Sequence, residues 1–190
     1  MRQQRFCSLV LAALFLAPLL IAAPEALRAH THEGVVYTSD QTWSGNMSLD
    51  EDVVIASGAT LLIESGTYIN VTEDITITIQ GNLQIQGTTE APVTIWGSWF
   101  AENSVQARWQ GFLLDSGSVT SVLHAMISDS RGGFDAESGA SLTIESTHFT
   151  DSMIGVWNKG SVMGAGFECQ SATTTCLRVD GTTSLDSVIS

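Results

Sequence analysis

Ser116–Ser130 reads SGSVTSVLHAMISDS and Ser138–Ser152 reads SGASLTIESTHFTDS, so an opening Ser-Gly and a closing Asp-Ser recur 22 positions apart. The glycine of this phrase continues as a series: Gly117, Gly139, Gly160 and Gly181 are separated by 22, 21 and 21 residues. The phrase also reaches back, since Ser57–Ser65 (SGATLLIES) matches Ser138–Ser146 (SGASLTIES) at seven of nine positions. Gly81 follows Gly58 by 23 residues, and only the step from Gly81 to Gly117, 36 residues, breaks the rhythm. A fixed period of this size belongs to a solenoid, in which each repeat buries its apolar side against its neighbours. The surplus in the one long step, about 14 residues, predicts a loop inserted at 97–111.

The period inside each coil decides between strand and helix. Ile75-Thr76-Ile77-Thr78-Ile79, Leu83-Gln84-Ile85 and Leu142-Thr143-Ile144 alternate apolar with polar, a side-chain period of two that belongs to strands. These runs are short and bounded by Gly, Asn, Asp, Ser and Thr, and no ten-residue window after residue 29 carries a clean helical stripe. Three short strands and three turns per repeat make one rung of a parallel β-helix, with rungs stacked about 4.8 Å apart. The expected fold is therefore all-β, with coils over 53–190 and an N-terminal segment and cap over 30–52, because Val35–Asp52 does not fit the repeat. Leu61, Ile63, Ile77, Leu83, Ile85, Leu142 and Ile144 are expected to point inward.

Three stretches carry a family likeness: SGATLLIESGTYI from Ser57, GNLQIQG from Gly81 followed by Ala91-Pro92-Val93-Thr94-Ile95, and Trp109-Gln110-Gly111-Phe112. Through them the chain, over roughly residues 45–190, resembles the right-handed parallel β-helix repeat proteins. That architecture includes pectate lyases, glycosidases of acidic polysaccharides and many secreted surface proteins. The resemblance implies a single-stranded right-handed parallel β-helix and is specific for fold rather than function. The sequence stops in mid-rung at Leu185-Asp186-Ser187-Val188-Ile189-Ser190. A solenoid with an open rung exposes an unpaired edge, so further coils or a C-terminal cap are expected, and truncation is the simpler reading.

Residues 1–29 read as a signal peptide: Arg2 and Arg5 form a basic start, Leu9–Ala23 is apolar, and Ala26-Leu27-Arg28-Ala29 offers small residues for cleavage. The apolar run is 15 residues long and contains Pro18, whereas a membrane span takes about 20. Secretion to the extracellular space or cell surface is the expected localisation, with no transmembrane helix in the mature segment. Cys7 precedes the apolar run, where a lipoprotein cysteine would follow it. Beyond residue 29 stand four basic and nineteen acidic residues, a net charge of −15. Nucleic acid is thereby a poor partner, and anionic polymers need a bridging cation. Cys169 and Cys176 are expected to form a disulfide, since zinc would require two further ligands and no histidine is near. Asn46-Met47-Ser48 and Asn70-Val71-Thr72 are glycosylation acceptor patterns.

Candidate sites follow from the same layout. The inserted loop holds Trp99, Phe100 and Arg108, and long solenoid loops with flat rings and polar neighbours suit sugars. Trp109 instead begins a coil strand and is expected to be packed. Asp135, Asn158 and Asp180 recur at steps of 23 and 22 and are expected to stack. Stacked carboxylates can hold calcium, or act as acid and base in polysaccharide-cleaving relatives, whereas a ladder of turn residues bonding their own backbone is the preferred reading. Asp129 and Asp151 form a second such column. Cleavage after Ala29 would leave His30-Thr31-His32 at the amino terminus, a pattern able to bind Cu(II) or Ni(II). His124 and His148 are read as structural residues within coil strands.

Lyases of the resembled architecture use an arginine or lysine base facing calcium or clustered aspartates. Here Arg131, Lys159 and Arg178 are the basic residues of the later rungs, and no Asp-Asp pair occurs there. No catalytic residue is assigned. The functional expectation is an exported structural or glycan-binding module that meets polysaccharide or cell-surface components. The alternative is a polysaccharide lyase or glycoside hydrolase whose catalytic coils lie downstream.

Overall fold

The computed structural model describes residues 34–98, 108–171, 174–185 and 188–189. Along them the chain repeats one triplet of strands. The first three triplets are β1 (Val35–Tyr37), β2 (Gln41–Trp43) and β3 (Asn46–Leu49); β4 (Val53–Ile55), β5 (Thr60–Glu64) and β6 (Tyr68–Val71); and β7 (Thr76–Ile79), β8 (Asn82–Gln86) and β9 (Val93–Gly97). Next come β10 (Trp109–Leu114), β11 (Val119–Leu123) and β12 (Ala125–Ser128), then β13 (Ser130–Ala136), β14 (Ser141–Glu145) and β15 (His148–Thr150). The last two are β16 (Ile154–Asn158), β17 (Ser161–Ala165) and β18 (Phe167–Gln170), and β19 (Thr175–Val179), β20 (Thr182–Leu185) and β21 (Val188–Ile189).

First, second and third members of the triplets build three separate seven-stranded sheets, here A, B and C. Every strand pair is parallel, for example Leu61↔Leu83 in sheet B and Ile69↔Ile95 in sheet C. The result is a parallel β-solenoid of about 6 turns with roughly 22 residues per coil. No helix among the described residues is long and apolar enough to cross a membrane.

Alternation within each strand sends one set of side chains into the solenoid and the other to solvent. All seven residues expected to point inward are buried. Each fully buried Leu, Ile or Phe contributes about 1.5–3 kcal/mol. Aromatic rings occupy the middle of the core: Phe112 stacks on Phe134 at 4.9 Å, and Phe134, Phe149 and Phe167 follow edge to face at 6.1 Å. Trp109 is completely buried, as expected, and its indole Nε1–H donates to the carbonyl of Ser128 at 2.9 Å.

Two placements differ from expectation. Residues 35–49, expected within a cap, form a coil of the solenoid, in register at Val35↔Val53, Gln41↔Leu61 and Met47↔Ile69. Their strands are only three or four residues long, and a polar residue, Gln41, stands in line with the inward Leu61. That substitution hides the repeat. His124 lies at the turn between β11 and β12 rather than within a strand, with φ 47°.

Candidate functional site

The outward positions of sheet C follow from alternation about its buried residues. β3 presents Asn46 and Ser48, β6 presents Tyr68 and Asn70, and β9 presents Thr94 and Trp96. Register aligns Asn46, Tyr68 and Thr94 in one row across the rungs, and Ser48, Asn70 and Trp96 in the next. Two large rings therefore stand on successive rungs and in adjacent rows, Tyr68 50% and Trp96 40% exposed. Inward Ile69, Val71 and Ile95 fix the backbone beneath them.

Around the rings the surface is polar and shaped. Asn46, Met47, Ser48, Tyr68, Asn70 and Trp96 line a shallow depression of about 390 Å³. The hydroxyl of Ser98 donates to Asn70 Oδ1 at 2.8 Å, which holds the amide in place. Aromatic faces beside fixed amides and hydroxyls can stack on the apolar face of a sugar and hydrogen-bond its hydroxyls. β9 ends at Gly97, and the residues expected to form the inserted loop follow Ser98. Trp99 and Phe100, expected to bind ligand, lie outside the described residues. So do His30 and His32.

Arg108, the third candidate of that loop, is buried, and its guanidinium Nη1 donates to the backbone carbonyls of Ser130 and Asp151. The structure thus ties its charge to the wall of the solenoid.

The column expected from Asp135, Asn158 and Asp180 does not form. Asp135 pairs with Trp157, which pairs with Arg178, whereas Asn158 pairs with Ala136 and Val179. The steps of 23 and 22 are each one residue longer than the register, which runs from Ala136 to Asn158 and on to Val179, and a one-residue offset reverses the side of the sheet. Asn158 consequently points inward, fully buried, and its Nδ2 donates to the Thr182 carbonyl at 2.7 Å and to Thr183 Oγ1 at 2.8 Å. Asp135 instead pairs with Lys159 at 2.9 Å, and Asp180 Oδ2 accepts from the Trp157 indole at 2.9 Å. Among the described residues no three His, Cys, Asp or Glu side chains gather to hold a metal.

Asp129 and Asp151 occupy equivalent turns between sheets C and A, both in the left-handed region at φ 56° and 52°. Asp129 Oδ2 accepts from Ser128 Oγ at 2.9 Å. Local bonding of this kind suits aspartate to left-handed turns.

The one aromatic ring on the outer side of sheet A among the described residues is already engaged. Trp157 lies between Lys159 Nζ, 4.1 Å from its centroid, and Arg178 Cζ, 4.2 Å away. Burial acts to lower the Lys159 pKa, but hydrogen bonds to Glu137 and Asp135 and their negative charges outweigh it and leave the ammonium above its ordinary value. This cluster closes on itself and offers a ligand little. Cys169 and Cys176 lie at bonding distance, Sγ to Sγ 2.11 Å, and join β18 to β19.

No family model matches the chain, and neither a curated protein nor a solved structure is significantly similar to it. Sequence reasoning singled out neither Tyr68 nor Trp96 as a site residue. The signal that finds them is register: counting in steps of two from Ile69 and Ile95 places both rings outward and on adjoining rungs.

Proposed function

We propose that the chain is an exported module, extracellular or at the cell surface, that binds glycan through the outer side of sheet C. The observation that carries this reading is the Tyr68–Trp96 pair, two exposed rings on neighbouring rungs of a rigid scaffold with Asn46, Ser48 and Asn70 beside them. The signal-like segment at 1–29 and the acidic composition support an extracellular setting. The resemblance to right-handed β-helix repeat proteins of the secreted surface type agrees with it. Catalysis receives no such support from the depression, whose lining of Asn46, Met47, Ser48, Tyr68, Asn70 and Trp96 includes no carboxylate, histidine, lysine or arginine.

The test is binding of the exported protein to a panel of polysaccharides, with Trp96→Ala and Tyr68→Ala beside the parent chain. Loss of one stacking ring removes about 0.5–1.5 kcal/mol of affinity, roughly a two- to tenfold rise in Kd, with the melting temperature unchanged. A melting temperature lowered by many degrees, together with unchanged binding, would assign both rings to the fold alone.

A further inference from the structure

The chemical class of the ligand can be read from what surrounds the two rings. Ten outward positions on β3, β6, β9, β12 and β15 carry Asn46, Ser48, Tyr68, Asn70, Thr94, Trp96, Met126, Ser128, His148 and Thr150. None is Asp, Glu, Lys or Arg, in a chain whose formal net charge is −13. The first carboxylate on these rows is Glu168 of β18, which faces His148 at 3.3 Å. The borders of the sheet are acidic instead: Asp50, Glu51, Asp52, Glu73 and Asp74 stand in the turns toward sheet A, and toward sheet B Glu90 stands in a turn while Glu64 and Glu145 close strands β5 and β14.

An uncharged floor between borders rich in carboxylates, where the Arg131 guanidinium is already paired with Asp74 at 3.3 Å, repels an anionic chain. The same floor leaves a neutral hydroxylated chain to be held by stacking and hydrogen bonds, which do not depend on charge. Sheet B is also sparsely charged, but among its described outward positions none is aromatic, and Trp157 of sheet A is enclosed by cations. The depression runs from Asn46 and Ser48 of β3, across β6, to Trp96 of β9. That is two rung steps, about 10 Å, directed across the strands.

We propose that the ligand is an uncharged glycan chain laid across the rungs of sheet C, its rings on Tyr68 and Trp96, a specification that rests on the glycan-binding reading above. Contact by stacking and hydrogen bonding makes binding insensitive to salt, because no ion pair is screened, and insensitive to chelators, because no calcium bridges the two.

The experiment titrates the exported protein, followed by tryptophan fluorescence and calorimetry, with neutral oligosaccharides of increasing length and with uronic-acid polysaccharides. Each titration is run at low and high salt and with and without EDTA. The expected result is saturable binding of a neutral glycan, unchanged by salt or EDTA, weakened two- to tenfold in Trp96→Ala and largely restored in Trp96→Phe. Binding confined to anionic glycans, yet still weakened by Trp96→Ala, would overturn the neutral specification and leave the binding face standing. No binding to any glycan, binding indifferent to Trp96→Ala and Tyr68→Ala, or self-association that Trp96→Ala abolishes would overturn both.

Discussion

Gly139 and Gly160 hold the same place in the sequence period and different places in the coil. Gly139 lies in a turn of four residues between β13 and β14, at φ +91°, as Gly117 does between β10 and β11 at φ +87°. Gly160 lies in a turn of two, and a Cβ there would meet the carbonyl oxygens of Ala140 and Glu137 at 2.5 Å. One glycine is required by its dihedral angle, the other by the proximity of the coil beneath. Around Gly117 a Cβ would meet nothing within 4 Å, so Gly117→Ala is expected to cost only the left-handed conformation, about 1 kcal/mol. Gly160→Ala forces backbone apart and is expected to cost about 3 kcal/mol, and denaturant unfolding of the two variants measures the difference. The glycine period was legible; its two causes were not, because each places Gly at the same point of the sequence. Asp135 and Asn158 separate to opposite sides of sheet A because their 23-residue step is one longer than the Ala136↔Asn158 register. Tyr68 and Trp96 were hidden for a related reason: an outward ring is distinguished from a buried one only by its register to Ile69 and Ile95.

Elements with strict alternation, such as β7, β8 and β14, were readable in the sequence, since apolar residues at every second position admit one orientation. β1 to β3 were not, because strands this short carry one or two inward positions and Gln41 takes one of them. The insertion expected at 97–111 is too wide at both ends, since Gly97 belongs to β9 and Trp109–Gly111 to β10. The cysteine pairing was readable from its spacing and from the absence of a nearby histidine, but not its placement. Cys169 stands in line with the buried Phe149, and a Cβ on Gly155 would lie 2.8 Å from its sulfur. The disulfide thus joins two consecutive strands, β18 and β19, from within the core. Closing so short a loop stabilises by about 2.5 kcal/mol in the chain-entropy account. Reduction is therefore expected to lower stability by about that amount and to raise amide exchange first in β18 and β19. Exchange that rises first in β4 to β6 would contradict this placement.

Among the described residues the acidic side chains sit mostly in turns, and the sheets between them are sparsely charged, which is why a net charge of −13 coexists with uncharged outward rows on β3, β6, β9, β12 and β15. The continuous core makes each rung depend on the next, so the central claim is the stacking of rungs across the inserted loop. Gln84, Ser121 and Thr143 are successive partners in sheet B, and they bring residues 84 and 143 two rungs apart. Spin labels on Gln84→Cys and Thr143→Cys, in a Cys7→Ser background with the native disulfide intact, measure that distance by dipolar broadening. The account predicts strong coupling from backbones about 10 Å apart. Labels that show no coupling at this range in the folded protein would contradict the solenoid, and with it the alignment of Tyr68 and Trp96 on one face.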